Sequence, residues 1–441
     1  MSPPETSARQ LQGITALYSL LWLFAANLGG LWLSILLLWP ETGRILGEFS
    51  YGRWMPLHMD WQLYGWCSLP LVGLLIRYFA GSTPDVRSIE LHLPFLLWSL
   101  GLAVLGAASL NGYVSGKLFL NWEGFSRGLF PAAQVFLWVL LAGWSWARYR
   151  RVGHFDTTQW MQAALLFVLI AAPLSLFLTS GPKGYPPVDP ASGGATGHSL
   201  LASSLGIIFI FGLIPGLLRL ESRVPAARWG RRYAIAFVAS AACWALLGHG
   251  NEANTQVGQI LGLGVLLAWV PLVLVYYRSF VWPSGIRRWL LAFLFWWALL
   301  TVSGFITFLP GILDRLKFTN GLVAHAHLAM AGMLTAFNML VLAALGRTGK
   351  GDPWSDRAGF WLWHGGTLLY VVSMTLQGMR EGGDPAVLFG PDRLTDFFYG
   401  LRLFSGVMMT AASLRWLWLL EGVRRGATSP LVHKLSKAYE S

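Results

Sequence analysis

Long apolar runs without charged side chains recur along this chain, and they constrain its fold more than any other feature. Each run is long enough to cross the hydrocarbon core of a bilayer, which takes about 20 helical residues. Because lipid offers the backbone no hydrogen-bond partner, each run is predicted to be an α-helix. Only 12% of the residues are charged, whereas soluble proteins carry about twice that share. The chain is therefore predicted to be an all-α polytopic membrane protein.

Twelve transmembrane helices are predicted from these runs. Their ranges are 13–39, 56–79, 91–110, 129–147, 158–178, 199–219, 232–249, 256–277, 286–308, 321–345, 357–376 and 398–421. The first run is too long for the core of a signal peptide, so it is predicted to be a retained helix. No repeat or linker divides the sequence, and residues 1–441 are predicted to form a single membrane-embedded domain.

The distribution of positive charge predicts the orientation in the membrane. With the N-terminus inside, about 21 Lys and Arg residues fall on the inner side and about 10 on the outer side, as the positive-inside rule requires. Both termini are therefore predicted to be cytoplasmic, in a multi-pass protein of a bacterial inner membrane. The net charge of +12 follows from this asymmetry, so we do not interpret it as a sign of nucleic-acid binding.

Histidines provide the main functional signal. In this topology, His58 lies at the outer start of the second span, His198 at the outer start of the sixth, and His249 at the outer end of the seventh. His325 and His327 lie at the outer start of the tenth span. Ionisable groups at membrane depth are functional candidates, and neutral imidazole is a common ligand of iron and copper. Five histidines at similar depth on four helices therefore suggest metal binding.

The spacing of His325 and His327 has a geometric meaning. Successive helical residues are about 100° apart, so two positions separated by one residue point about 200° apart. The two imidazoles therefore cannot share a metal ion, but they can hold two metals on opposite sides of one helix. A histidine in a membrane helix can also simply hydrogen-bond to a neighbouring helix. That alternative stays open for His198 and His249, and it is preferred for His364, near the inner end of the eleventh span.

Three segments resemble a known family. They are YGRWMPLHMDWQLYGW (51–66) with His58, TGHSLLASSLGIIFIFGLIP (196–215) with His198, and FTNGLVAHAHLAMAGM (318–333) with the H-x-H pair. These segments resemble the second, sixth and tenth helices of subunit I of the haem-copper oxidases, and most of all the cbb3-type branch. The end of the first span, the last two spans and the number of spans are also similar. The resemblance implies a subunit I-like fold over nearly the whole chain.

The resemblance also implies a role for each histidine. His58 and His327 would be the two ligands of a six-coordinate, low-spin haem b. His325 would be the sole protein ligand of a high-spin haem b, whose other face stays open for a small gas. His198 and His249 would lie across that open face and hold copper or a second iron.

The activity implied by the resemblance is that of a terminal oxidoreductase of the cytochrome c oxidase type. Electrons would come from a c-type cytochrome and pass through the low-spin haem to the high-spin haem, where oxygen or nitric oxide is reduced. The chain has no C-x-x-C-H motif, so the c-type haem must lie on a separate subunit or carrier, within a hetero-oligomeric respiratory complex. Arg402, at the outer start of the twelfth span, is a candidate partner of haem propionates, because arginine pairs well with carboxylates.

Two departures from the family pattern concern the second metal. The family has two adjacent histidines at the end of the seventh helix, whereas Gly250 follows His249 here. The cbb3-type branch also has a tyrosine shortly before that pair, and this chain has Cys243 there. Glu252 is a candidate replacement for the missing ligand, and its carboxylate would suit iron better than copper.

The departures support an alternative function, a non-catalytic haem subunit that relays electrons or senses a gas. A transporter is a third and weaker hypothesis. Transporters seldom concentrate histidines at one depth on four helices, and the paired interrupted helices that are typical of transporters are not found in this sequence.

Overall fold

Helix is the dominant structure of the chain. The computed structural model describes residues 5–46, 50–81, 86–191, 193–223, 226–283, 285–346, 349, 351–390 and 392–428. Within these ranges no β-strand forms, and the extended backbone pairs only in isolated bridges. This confirms the predicted all-α class. Residues 429–441, which belong to a tail that was predicted to be cytoplasmic, lie outside the described residues.

A long helix corresponds to every predicted span. In chain order they are α1 (Glu5–Leu38), α2 (Tyr51–Ala80), α3 (Ser88–Leu110), α4 (Ser126–Val152), α5 (Thr157–Thr179), α6 (Gly197–Leu217), α7 (Ala226–Leu246), α8 (Val257–Arg278), α9 (Arg287–Phe308), α10 (Asn320–Ala344), α11 (Arg357–Gly383) and α12 (Arg393–Thr428).

Ten helices in the described part of the chain are long and apolar enough to cross a membrane. The two long helices outside this set are α7 and α11, which correspond to the predicted spans 232–249 and 357–376. Arg231 and Arg232 lie near the start of α7 and lower its mean hydropathy. The chain therefore has the helices of a polytopic membrane protein, with ten candidate spans.

Contacts between residues group the chain into two compact units. The first unit comprises Met1–Gly184, Asn338–Gly366 and Gly406–Ser441, and the second comprises Tyr185–Phe337 and Thr367–Ser405. One of the four boundaries lies between α5 and α6, at Gly184, and the other three fall inside α10, α11 and α12. The single domain predicted for the whole chain stays a prediction.

In the first unit, α2 packs closely against α1 because α2 presents glycines to it. A Cβ on Gly65 would lie 2.6 Å from the Cβ of Trp22, and a Cβ on Gly73 would meet the Thr15 side chain. Small residues let membrane helices approach closely and gain van der Waals contact. This close packing fixes the position of α2, which carries His58.

In the second unit, tyrosine hydroxyl groups hold α6 in place. Pro215 has no N–H, so the Phe211 carbonyl lacks its helical donor, and the Tyr277 hydroxyl donates to it instead at 3.1 Å. The hydroxyls of Tyr276 and Tyr233 donate to two further carbonyls of α6, at 2.7 and 2.6 Å. These bonds tie α6, which carries His198 in its first turn, to α7 and α8.

Candidate functional site

His58 lies in α2 and is held by α1. Its Nδ1 is 2.7 Å from the carbonyl oxygen of Ala26. A proton on Nδ1 donates to this carbonyl and leaves the lone pair on Nε2, an arrangement that is common in metal-binding histidines. Gly30 of α1 lies beside the ring, where a Cβ would approach the His58 Cε1 to 2.7 Å. The helix α1 therefore forms a cradle that fits this imidazole and leaves no space for a side chain.

The two helices that carry the predicted haem ligands also share a local distortion. A π-helical segment, Trp61–Cys67, begins shortly after His58, and a second one, Leu328–Leu334, directly follows His327. Such wide turns are rare in proteins and frequently occur at functional sites. The sequence did not predict either segment.

His325 and His327 contact different helices of the second unit. A Cβ on Gly304 of α9 would lie 3.1 Å from the His325 Cε1. The His327 ring stacks instead on Tyr370 of α11, with centroids 3.9 Å apart and planes at 22°. The prediction that these two imidazoles face different sides of one helix is therefore confirmed.

His325 offers a buried nitrogen atom that forms no hydrogen bond. Its Nδ1 has no partner among the described residues. A buried polar atom without a partner costs about 1–3 kcal/mol, so such an atom calls for an explanation. On the Gly304 side, the Cβ of any other residue would also lie 3.3 Å from Nε2. The orphaned Nδ1 and the space beside the ring both fit a histidine that holds a bound group.

Tyr370 links His327 to Arg402. The Nδ1 of His327 lies 2.9 Å from the Val323 carbonyl oxygen, one turn earlier in α10, and this contact orients the ring. The guanidinium carbon of Arg402 lies 5.5 Å from the centroid of the Tyr370 ring, within the range of a cation–π interaction. A predicted haem ligand and the predicted partner of a propionate thus contact the same residue of α11.

Arg402 also belongs to a buried polar network. Its Nη1 donates to Oδ1 of Asn320 at 3.2 Å, and Asn320 donates from N and Nδ2 to the Glu381 carboxylate at 2.7 and 2.6 Å. Arg402 is 7% exposed and Glu381 is 1% exposed. The network holds the guanidinium in one orientation, which is what recognition of a carboxylate by arginine needs.

An exposed ion pair lies beside this network, just before α12. The Thr395 N–H donates to the Asp392 carboxylate at 2.8 Å, and Nη2 of Arg380 donates to it at 2.7 Å. The pKa of Asp392 is lowered from its ordinary value, chiefly by the Thr395 N–H and also by Arg380. Asp392 is therefore charged at neutral pH and orients Arg380, whose Nη1 donates to Gln377.

His198 and His249 lie side by side, as expected for a shared metal ion. Their ring centroids are 4.1 Å apart, with planes at 79°. Two imidazoles at this distance can turn a nitrogen each toward one ion at about 2.0 Å. Both ring nitrogens of His198 are buried and have no hydrogen-bond partner in the described part of the chain. The alternative of a hydrogen bond to a neighbouring helix therefore does not hold for His198.

His249 lies outside the helix in which it was predicted. The predicted seventh span was 232–249, but α7 ends at Leu246. Glycine is a poor helix former, and Gly248 and Gly250 flank this histidine. The side chain is exposed, with its Nε2 3.2 Å from the Ala245 carbonyl oxygen.

In the described part of the chain, no His, Cys, Asp or Glu side chain joins this pair as a third ligand. Among the described residues, no group of three or more His, Cys, Asp or Glu side chains could hold a metal ion. The interpretation of Glu252 as the third ligand is therefore wrong. Its carboxylate folds back on the backbone, where a Cβ on Gly248 would lie 2.6 Å from Oε1.

His364 is a buried residue of α11, and the hydrogen bond to a neighbouring helix that is preferred for it stays a prediction. It is 7% exposed inside the first unit, and its ring meets the ring of Phe360 at 66° with centroids 4.5 Å apart. This buried histidine is a suitable control for substitutions of the predicted ligands.

Several neighbours of these histidines could not be found from the sequence. Trp244 and Tyr370 stack on predicted ligands, and Gly30 and Gly304 leave room for them. Such contacts depend on which helices pack together, and the spacing of residues does not report that. One signal was available: a pair of glycines, Gly29 and Gly30, inside an apolar run marks a close approach of helices.

Comparison with known proteins adds no family assignment. No model of a protein family matches the chain, and a search of curated proteins finds no significant match. A functional assignment has to be made from the residues and the geometry described above.

Proposed function

We propose that this chain is a membrane haem protein of the haem-copper oxidase subunit I type, with twelve membrane-spanning helices. The observation that carries the proposal is the H-x-H pair of α10, whose two imidazoles contact different helices. The orphaned Nδ1 of His325 and the glycine beside it suit a ligand of a bound group. The His58 ring, oriented by a carbonyl and cradled by Gly30, suits a second such ligand.

The proposal assigns each histidine a role. His58 and His327 ligate a low-spin haem b, and His325 ligates a high-spin haem b. In His58 and His327, a carbonyl that accepts from Nδ1 fixes the ring and makes Nε2 a better donor to a metal. Arg402, held by its polar network, pairs with a haem propionate. When bound, a haem with one open side supplies gas binding and one-electron chemistry.

His198 and His249 are the proposed ligands of copper or a second iron. With His325, they are the residues to which we assign catalysis. Their imidazoles would hold a cation whose charge favours the reduction of a gas. The burial of both ring nitrogens of His198 keeps water away from one side of that cation.

In this proposal the protein is an oxidoreductase of a bacterial inner membrane, with both termini in the cytoplasm. It receives electrons from a c-type cytochrome subunit or carrier and passes them to oxygen or nitric oxide. The separate c-type haem makes it part of a hetero-oligomeric respiratory complex. The ten apolar helices in the described part of the chain suit a lipid environment.

One observation favours a second candidate function. The described residues provide two histidines and no third ligand for the second metal. A haem subunit that relays electrons or senses a gas needs no second metal at all. The two candidates differ in turnover, since only an oxidase or reductase consumes gas when it is supplied with a reduced c-type cytochrome.

The haem content of the purified protein tests the proposal. A pyridine haemochrome assay read against protein concentration is expected to give two non-covalent b-type haems per chain. His58→Ala is expected to abolish the low-spin spectrum, while the buried control His364→Ala keeps both haems. A ratio of zero or one in the unmodified protein would exclude the proposed pair of haem sites.

Steady oxygen or nitric oxide consumption by the same preparation, with a reduced c-type cytochrome as donor, separates the two candidates. Turnover that is lost in His325→Ala supports the oxidoreductase. Two haems, carbon monoxide binding and no turnover support the relay or sensor.

A further inference from the structure

Trp244 is packed into the proposed second-metal site, although the sequence gives it no role. Its indole stacks on the His198 imidazole with centroids 5.0 Å apart and planes at 19°. It also meets the His249 ring at 84°, with centroids 5.4 Å apart. The three rings are therefore in mutual contact.

Polar atoms within this cluster have no partners. Both ring nitrogens of His198 and the Nε1 of Trp244 are buried and form no hydrogen bond with any described residue. Simple packing of an aromatic cluster would tend to leave such atoms at the surface or paired, because an unpaired buried polar group is costly. Several orphaned atoms in one place indicate that the cluster is arranged around a ligand.

We propose that Trp244 is part of the metal site and that its indole face takes the third position against a single Cu(I) ion held by His198 and His249. This inference rests on the proposed second-metal site and deepens it. The indole plane lies at 19° to the imidazole plane of His198, with centroids 5.0 Å apart, so a cation held in the imidazole plane would be within reach of the indole face. Tryptophan is the best aromatic partner for a cation at that range.

The chemistry of the site favours monovalent copper over harder ions. Cu(I) is a soft, polarisable ion that accepts few ligands, so two imidazoles and a π-face form a complete set. Zn²⁺ prefers four nitrogen, sulfur or oxygen donors in a tetrahedron and gains little from an indole. No acidic side chain completes such a set here, because the described part of the chain has no group of three ligands.

The decisive experiment compares two metals in two variants of the purified, haem-loaded protein. Cu(I) under anaerobic conditions and Zn²⁺ are each equilibrated by dialysis at buffered concentrations, and the bound metal is measured by elemental analysis. We expect Trp244→Leu to weaken Cu(I) binding about tenfold and to leave Zn²⁺ binding within about twofold. Trp244→Phe, which keeps an aromatic face, is expected to fall between. His249→Ala should strongly weaken the binding of both metals.

A matched control is Trp282→Leu, which removes an indole that stacks on Tyr277 in the same unit, with centroids 5.5 Å apart. This substitution should change the binding of neither Cu(I) nor Zn²⁺. If Trp244→Leu weakened Cu(I) and Zn²⁺ equally, Trp244 would only position the histidines, and the proposed role would be overturned. No change in Cu(I) binding in Trp244→Leu or in His249→Ala would overturn it as well. Haem content, measured in every sample, reports separately on the proposed function.

Discussion

The histidines of α10 and the pair formed by His198 and His249 differ in where they lie relative to the ends of their helices. His325 and His327 lie inside a continuous helix, so the backbone sets the angle between them and packing against α9 and α11 sets their neighbours. His198 lies in the first turn of α6, and His249 lies past the end of α7. The position of each member of this pair therefore depends on a helix end.

The contrast shows which part of the proposed site is easy to change. A ligand inside a packed helix cannot move without disturbing the helices around it. A ligand at a helix end can be lost, gained or shifted by one substitution in a short loop, because few contacts hold the backbone there. Gly250, at the position where the resemblance implies a histidine, lies in such a loop.

The largest effect is expected from removing the imidazoles of α10. His327→Ala should remove the low-spin haem, and His325→Ala should remove the high-spin haem, because each would lose a ligand that no neighbour can replace. Reduced-minus-oxidised spectra and haem content per chain measure this. His249→Ala should keep both haems. Loss of haem in His249→Ala to the same degree would erase the distinction between the two regions.

A smaller effect is expected from filling the space beside His325. Because a Cβ on Gly304 would lie 3.1 Å from Cε1, Gly304→Leu should push the ring aside at a cost of about 1–3 kcal/mol. The high-spin haem should fall at least about fivefold in occupancy, as measured by carbon monoxide difference spectra. The control is Gly206→Ala in α6, where a Cβ meets nothing within 4 Å. Unchanged carbon monoxide binding in Gly304→Leu would mean that His325 does not need this space.

The sequence was sufficient to predict the features that helix geometry alone determines. The apolar runs predicted the helices, and the spacing of His325 and His327 predicted that they face different neighbours. The same reasoning placed His249 inside a helix, and there it failed, since glycines on both sides of it end α7 early. The contacts of Tyr370 and Trp244 could not be predicted at all, because they depend on which helices pack together.

A gain of function is expected in the loop after α7. A Cβ on Gly250 would meet no heavy atom within 4 Å, so Gly250→His can be accommodated without strain. A third imidazole beside His198 and His249 should raise copper affinity by about 10–100-fold, since even the hydrogen-bond partner of a ligand has an effect of that size. Copper per chain after dialysis measures this, with Gly250→Ala as the control. Equal copper in both variants would show that an imidazole at position 250 does not reach a metal held by His198 and His249.

The smallest effect concerns the helix caps, and it compares the two regions directly. The Thr196 hydroxyl caps α6 by accepting from the Ser199 N–H at 3.2 Å, and the Thr319 hydroxyl caps α10 by accepting from the Gly321 N–H at 3.1 Å. Loss of such a cap costs about 1 kcal/mol, so each alanine variant should loosen its first helical turn to a similar extent.

The consequences of these two substitutions should differ because of where the ligands lie. His198 is in the first turn of α6, so Thr196→Ala should weaken binding of the second metal by up to about fivefold and leave both haems in place. The ligands of α10 lie beyond its first turn and are packed against other helices, so Thr319→Ala should change neither haem content nor metal content. Haem and metal analysis of the two variants, side by side, measures both effects. Loss of haem in Thr319→Ala together with unchanged metal binding in Thr196→Ala would contradict this expectation. The histidines of α10 would then depend on the end of their helix, and His198 would not.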